Sequence, residues 1–521
     1  MRPSSDARRL PFPKGLGTVT ISRDALRILV AMAALLVLGV IAARFSTAVF
    51  VAIGVALLAG LAVISWRAPR LILLTMALMP IFDRYLISLL IPPSLSGVTN
   101  FFSEGLLLLA AIVVTIRAWR DGRLLPALRH PTTPLLAGFV AVGLVGAILN
   151  GVPPVIATAG ILFTIDAIAL YVLPRFVGYE PRQAAIAAGV FVALAGVASL
   201  LAIFQITLAP TIFGMEVSHG RFSEGNRVAA FFDGNPNMLA AVIAMAVPYP
   251  AFAVRFLRGR ARIAAMVLLV IMALALFYTF SRGAWLGLGL SMVVVGLIID
   301  WRALALVIVA GVLAYGAAHV MPRNLLVGLF SSGGGPGPEV TFDLGEATFG
   351  RVESLGGGRD LRVLFIENAT PIIADHPLVG AGPGRYGGAV SARFPDSPLY
   401  DRYTDGVVPE GRTVDNFWLH LLVEFGVLGT LLYAGILAFA IAQSIWFARG
   451  APAVTRVVLA GSAAAAIILV IDSLTEMLLE GNTTSFAAWF FLGIGSALVA
   501  GERLRRAASS RVQMSESTQT A

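Results

Sequence analysis

Residues Thr413 to Gly429 read TVDNFWLHLLVEFGVLG: a polar stretch ends at Asp415-Asn416, an apolar run begins at Phe417, and a Gly426-x-x-Gly429 pair follows deeper in that run. Here the longest polar segment of the chain, Met321 to Val414, returns to a run apolar enough and long enough to cross a bilayer. An ionisable group at such a mouth is costly in lipid unless it is paired or solvated, which makes Asp415 a candidate functional group.

Composition carries the same reading to the rest of the chain. Of 521 residues, 58% are hydrophobic and only 13% charged, and the mean hydropathy is +0.86, more apolar than a soluble domain can conceal. The expected fold class is therefore all-α: a polytopic membrane bundle of about 12 to 14 spans, with one long extracytoplasmic loop containing short helices. Spans are expected near 26–43, 46–65, 71–91, 101–119, 134–149, 155–173, 184–208, 236–257, 262–280, 284–299, 303–320, 416–447, 457–474 and 485–500. The domain organisation that follows is a cytoplasmic basic segment 1–25, N-terminal spans 26–183, core spans 184–320, the large loop 321–414, C-terminal spans 415–500 and a disordered polar tail 501–521. The first apolar run lacks a small-residue cleavage site and reads as an uncleaved anchor.

Arginine placement orients the bundle. With a cytoplasmic amino terminus, Arg67, Arg70, Arg117, Arg120, Arg123, Arg129, Arg175, Arg182, the cluster Arg255 to Arg262, Arg302, Arg449, Arg456 and the tail arginines all fall on the cytoplasmic side, as the positive-inside rule requires. The net charge of +9 is then mostly a topology signal, and dispersed arginines without a basic block exclude a nucleic-acid partner. Arg503 to Arg511 reads as a stop-transfer flank or a contact to anionic membrane lipid. The absence of cysteine removes disulfides, thiolate nucleophiles and cysteine metal sites. No GxxxxGK[ST] loop is present to drive ATP-dependent transport, and no metal or other cofactor is expected.

Two polar segments fall on the opposite side, Ala209 to Asn235 and the large loop. The first ends in Asn235-Pro236-Asn237, which reads as a helix start with Asn235 as cap and Pro236 in the first turn. The second contains SSGGGPG at 331–337, a helical alternation over Arg359 to Ile373, and HPLVGAGPGRYG at 376–387, whose glycines either serve to turn the chain or present amides to an anion. Arg44 and Arg282 stand out among the otherwise arginine-poor loops of this side.

Four segments in order, Arg227 with AAFFDGNPNMLA (229–240), SRGAWLGL (281–288), HPLVGAGPGRYG (376–387) and DNFWLHLLVEFGVLG (415–429), resemble the O-antigen ligase and polymerase superfamily of bacterial membrane proteins. The resemblance covers roughly 185 to 500. It implies a metal-independent glycosyltransferase in the bacterial inner membrane that passes a glycan from an undecaprenyl-pyrophosphate-linked donor to a saccharide or lipid-linked acceptor on the extracytoplasmic face. The family's motif of His, then Asn, Ser or Gln, nine residues, Gly, two residues and Gly, Thr or Tyr is met by Asn416, Gly426 and Gly429. Asp415 stands where the family has the histidine proposed to activate the acceptor.

The chemistry sorts the candidates. A departing pyrophosphate calls for always-charged bidentate donors, a task that suits Arg227 and Arg282. An attacking hydroxyl calls for a proton acceptor within reach, for which Asp415 is the first candidate and His376 the second. Asn416, Asn237 and Gly382 are expected to support them. Beside these roles stand plainer ones: Arg282 snorkelling or pairing with Asp233, Arg227 as a solvated charge, Asp415 as a helix cap, His376 as a turn residue, and His420 as a core-packing side chain. Glu424, Asp472, Glu476 and Glu480 either bind sugar hydroxyls or balance the arginines. The alternative function is transport of a lipid-linked sugar or small anion, although neither inverted repeats nor broken helices are evident; a scaffold for polysaccharide assembly ranks last.

Overall fold

The computed structural model describes residues 47–81, 102–207, 211–212, 215–216, 227–230, 232, 235–320, 361–394 and 414–520. Expectations that rest on Arg44, Asp233, the first span or the 331–337 run lie outside these residues. The chain divides into two compact units, Met1–Pro69 and Arg70–Ala521. The first contributes one described helix, α1 (Thr47–Arg67).

The second unit is an all-α membrane bundle. In order it contains α2 (Pro69–Leu78), α3 (Phe102–Arg120), α4 (Leu124–Leu128), α5 (Thr132–Leu149), α6 (Pro154–Val177), α7 (Pro181–Thr207), α8 (Pro236–Ala246), α9 (Pro248–Ala253) and α10 (Gly259–Tyr278). There follow α11 (Arg282–Ile299), α12 (Trp301–Val320), α13 (Leu361–Asp375), α14 (Gly388–Arg393), α15 (Phe417–Gly450), α16 (Ala453–Asp472) and α17 (Asn482–Thr520). Among the described residues ten helices are long and apolar enough to cross a membrane, α8 and α9 counting as one. The only sheet among them is a two-stranded antiparallel pair, β1 (Thr211–Ile212) with β2 (Met215–Glu216).

The bundle is built around α8, α16 and α17, whose span residues are mostly buried, while α5, α11 and α12 keep most of theirs on the outside. Ile148, Leu149, Leu297, Val312 and Leu431 are more than 60% exposed, an apolar outer surface that requires lipid as its solvent. Helices approach closely where side chains are small, as in other membrane bundles. A Cβ at Gly461 of α16 would lie 2.5 Å from the Tyr249 ring, and one at Gly493 of α17 would lie 2.6 Å from the carbonyl of Leu170. Trp489, Phe490 and Phe491 then fill the space between α6, α7 and α17.

Three differences from the sequence reading have local causes. The span expected at 236–257 is two helices, because Pro248 and Pro250 have no N–H to continue the ladder of α8. The tail expected to be disordered continues α17 to Thr520. The span that begins at Phe417 is broken: Gly426 sits at φ 63°, ψ −171° between two helical segments of α15. Broken helices, unseen in the sequence, are thus present at two places.

The break in α15 is filled by the glycine-rich turn. The amides of Ala381 and Gly382 donate to the carbonyls of Val423 (2.8 Å) and Glu424 (3.1 Å), and the carbonyls of Pro377 and Leu378 accept from Val427 (2.9 Å) and Leu428 (3.1 Å). Asn150, at the end of α5, ties the turn down by donating to the carbonyl of Gly380 at 3.0 Å. Gly426 permits this insertion twice over, through its positive φ and because a Cβ there would strike the backbone of Leu378 and Gly380. Gly426→Ala is expected to lower stability by more than about 2 kcal/mol, the left-handed penalty alone being about 1–2 kcal/mol. Gly189→Ala, at an exposed helical site with nothing within 4 Å, is expected to leave stability unchanged or raise it by about 0.5–1 kcal/mol. Thermal unfolding in detergent measures both.

Candidate functional site

At the loop end of the bundle, two turns carry the two arginines. Asn235 caps α8, accepting from the amides of Asn237 (3.0 Å) and Met238 (3.2 Å), with Pro236 in the first turn as expected. Arg227 is half-buried beside it. Its Nε donates to the carbonyl of Thr279 at 2.7 Å and its Nη2 to Oδ1 of Asn237 at 2.6 Å. Asn237 in turn donates from Nδ2 to Oε1 of Glu476 at 2.6 Å. Arg282 opens α11 and is also half-buried. Thr279 therefore joins the two turns: its carbonyl fixes the plane of the Arg227 guanidinium three residues before Arg282.

Both turns are strained. Ala230 (φ 48°) and Phe280 (φ 51°) are the only non-glycine residues at positive φ among the described residues. Such backbone costs about 1–2 kcal/mol per residue, persists only where the surroundings over-determine it, and concentrates at functional sites. At Ala230 the determinant is a bond from its amide to Oε1 of Gln205 at 3.0 Å. At Phe280 it is aromatic packing, with Phe277 stacked on Trp285 at 5.6 Å and Phe280 tilted against both.

The segment Asp472–Glu476, between α16 and α17, joins these turns to the start of α15. Glu476 holds Asn237 and through it Arg227. Asp472 lies so close to Gly283, next to Arg282, that a Cβ there would strike its carboxylate and lie 2.7 Å from Oγ1 of Thr475. The amide of Phe417 reaches the carbonyls of Ser473 (3.1 Å) and Glu476 (3.4 Å), which places Asp415 and Asn416 on the same segment. Asn237 with Arg227 on it, the residue after Arg282 and the residue two after Asp415, far apart in sequence, thus all reach the same five residues. The cap of α15 is Asn416, whose Oδ1 accepts from the amide of Leu419 at 3.0 Å. Asp415 is half-exposed one residue earlier, so the capping role weighed for it belongs to its neighbour.

A second, buried cluster joins residues that the sequence reading named only separately. Glu424 accepts the amides of Gly384 and Tyr386, both at 2.7 Å. Glu480 accepts the amide of Ala389 at 3.0 Å. Between them His420 lies with Nδ1 2.6 Å from the carbonyl of Tyr386 and Nε2 3.7 Å from Glu424 and 3.6 Å from Glu480. The Tyr386 hydroxyl donates to the carbonyl of Phe365 at 2.6 Å, tying α13 to the same turn. Phe365, Ala369 and Ile372, on one face of α13, pack with Ala381, Tyr386, Val414 and Val423.

The glycine-rich turn does present amides, and what accepts them is the protein's own Glu424 carboxyl. Gly382 supports this seat rather than a ligand: its amide bonds into the break, and a Cβ would lie 2.5 Å from Val152. His376 ends α13, half-exposed, bonded through its amide to Ile372 and through its carbonyl to Gly380. The histidine among carboxylates is therefore His420. Its i,i+4 spacing to Glu424 on one helix face was the available signal. Asp472, Glu476 and Glu480, each four residues from the next, turn out to support the arginine turns and the re-entrant turn.

Residues 267–434 match the family described as O-antigen ligase. Over that segment the chain is similar to the O-antigen ligase superfamily. The match runs from α10 through the break in α15 and includes Arg282, the glycine-rich turn, Asp415 and the His420–Glu424 pair; Arg227, Asn237 and the 472–480 segment lie outside it. No curated protein matches the chain. Among the described residues no group of three or more His, Cys, Asp or Glu side chains is arranged to hold a metal ion.

Two outcomes follow from this geometry. Glu424→Gln keeps one acceptor where the turn needs two, and hydrogen bonds to charged groups contribute about 1.5–3 kcal/mol each. The variant is expected to lose stability in that range, with the amides of Gly384 and Tyr386 exchanging at least tenfold faster in hydrogen-exchange mass spectrometry while the amides of α16 stay protected. Ala230→Gly relieves a left-handed penalty of about 1–2 kcal/mol but gives up a buried methyl and adds unfolded-state entropy, together of about the same size, so a change of less than about 1 kcal/mol is expected in detergent unfolding.

Proposed function

We propose that the chain is an inner-membrane glycosyltransferase of the O-antigen ligase or polymerase type. It transfers a glycan from an undecaprenyl-pyrophosphate-linked donor to an acceptor hydroxyl on the extracytoplasmic face, in cell-surface polysaccharide synthesis. The observation that carries this reading is the convergence on Asp472–Glu476 of the turns that hold Arg227, Arg282 and Asp415. The similarity to O-antigen ligases over 267–434 supports the reaction class.

In the proposed reaction the acceptor oxygen attacks the anomeric carbon as the bond from that carbon to the phosphate oxygen breaks. The electron pair of the broken bond leaves on the pyrophosphate, and the hydroxyl proton passes to Asp415. Arg227, its plane fixed by Thr279 and Asn237, and Arg282, at the start of α11, bind the pyrophosphate as its charge grows. Fixed cations do this without reorganising at the moment of reaction. The segregation of arginines to the other end of the bundle supports an extracytoplasmic position for the site.

Transport of a lipid-linked sugar or small anion is the second reading, and the broken helices α8–α9 and α15 favour it, since transporters build sites at such breaks. Against it, the turn 377–386 fills the break in α15 with backbone hydrogen bonds. Arg227→Ala, Arg282→Ala and Asp415→Asn, each assayed for glycan transfer from a lipid-pyrophosphate donor in proteoliposomes, are expected to lose at least a hundredfold in rate. Wild-type rates in the Arg282 and Asp415 variants would sink the mechanism, and donor flux without transfer would replace it with transport.

A further inference from the structure

The arginine-rich end of the bundle holds a feature that the transfer reaction does not use. A cavity of about 470 Å³ opens there between the first turn of α7, the end of α15, the start of α16 and α17, within the ~300–1,000 Å³ range of small-molecule sites. Its wall is apolar, with Trp446, Phe447, Leu459, Leu498 and Val499, and its rim carries Arg449, Thr455 and Glu502. Arg503 stacks over the Phe447 ring at 5.0 Å. Arg449 and Arg503 are exposed, and Trp446 is 70% exposed, an aromatic at the end of a span, where headgroups lie.

Further positive charge lies at the same end of the bundle. Arg175, in the last turn of α6, has its three guanidinium nitrogens buried with no hydrogen-bond partner among the described residues, its cation resting on the Tyr171 ring at 4.9 Å. A buried cation without an anion is strongly unfavourable. His130, before α5, is held at about 4 by its burial and by the fields of Arg175 and Arg503, so it remains neutral and contributes no further charge at neutral pH. Against these cations the lining offers one acid, Glu502, which precedes Arg503 in the chain.

We infer that this cavity is a binding site for one anionic phospholipid, its acyl chain against Trp446, Phe447, Leu459 and Leu498 and its phosphate between Arg449 and Arg503. An apolar wall that ends at headgroup level under a net positive rim is complementary to that molecule. A zwitterionic lipid supplies the chain without the net charge, and a free phosphate supplies the charge without the chain. Basic pockets between spans recognise anionic headgroups by this combination.

The test uses the full chain in neutral detergent, with retained lipid counted by native mass spectrometry and Trp446 monitored by quenching with brominated acyl chains. Phosphatidylglycerol is expected to be retained at least tenfold more tightly than phosphatidylcholine and to quench wild-type protein more than Trp446→Phe. Arg449→Gln with Arg503→Gln, both exposed and so expected to fold, should reduce the preference to within about twofold. Equal retention of the two lipids, a preference unchanged in the double variant, or quenching unaffected by Trp446→Phe would each overturn the site. Displacement of phosphatidylglycerol by millimolar inorganic phosphate would show a phosphate site in its place.

Discussion

Everything at the loop end depends on how the backbone is satisfied where α15 breaks. At membrane depth an unpaired amide or carbonyl costs several kcal/mol, and irregular backbone survives only where protein or water completes it. Gly426 takes Val423, Glu424, Val427 and Leu428 out of the regular ladder, and the turn 377–382 supplies a partner for each. The turn 377–382 is thereby part of the membrane domain. Because the turn is inserted, its next residues, Gly384 to Ala389, fall beside Glu424 and Glu480, whose buried carboxylates accept three of their amides.

The segment 472–480 has a corresponding role from the other side. Its three acids face, in turn, the Gly283 turn next to Arg282, the Asn237–Arg227 pair and the Ala389–His420 cluster. One short connection between α16 and α17 thus registers both arginine turns and the re-entrant turn against each other, although it lies outside the family match. Spacing the acids by four residues from the end of α16 spreads them over neighbouring contacts: Glu476 accepts from the Asn237 side chain, Glu480 from the Ala389 amide, and Asp472 closes on the Gly283 turn. Strain at Ala230 and Phe280 is tolerated for the same reason, since both turns are held at several points.

The spans were legible because lipid imposes one rule on every residue that faces it: α5, α6, α10, α11 and α16 begin and end within a few residues of where the apolar runs do. The cap at Asn235 and Pro236 was legible because it is local chemistry. The break in α15 was not, since glycine is common in membrane helices and only the distant turn gives Gly426 its meaning. Nor was His420, which reads as a packing residue until Glu480, sixty residues on, is brought to 3.6 Å. Arg227, Arg282 and Asp415 could each be singled out by charge and position; their common neighbour could not, because Asp472–Glu476 belongs to a connection with no motif of its own.

The aspartate at 415 changes the electrostatics of the proposed reaction as well as its base. A histidine in that position starts neutral and ends as a cation, which attracts the pyrophosphate as negative charge grows on it. A carboxylate starts as an anion and ends neutral, so it repels the donor before transfer and offers no attraction afterwards. The attraction must then come from Arg227 and Arg282, in a neighbourhood where Asp472 and Glu476 already bring two further acids near them. The bonds that fix Arg227 to Thr279 and Asn237 have their clearest rationale in that setting: with the base supplying no positive charge, the direction in which each guanidinium faces decides whether the leaving group is stabilised.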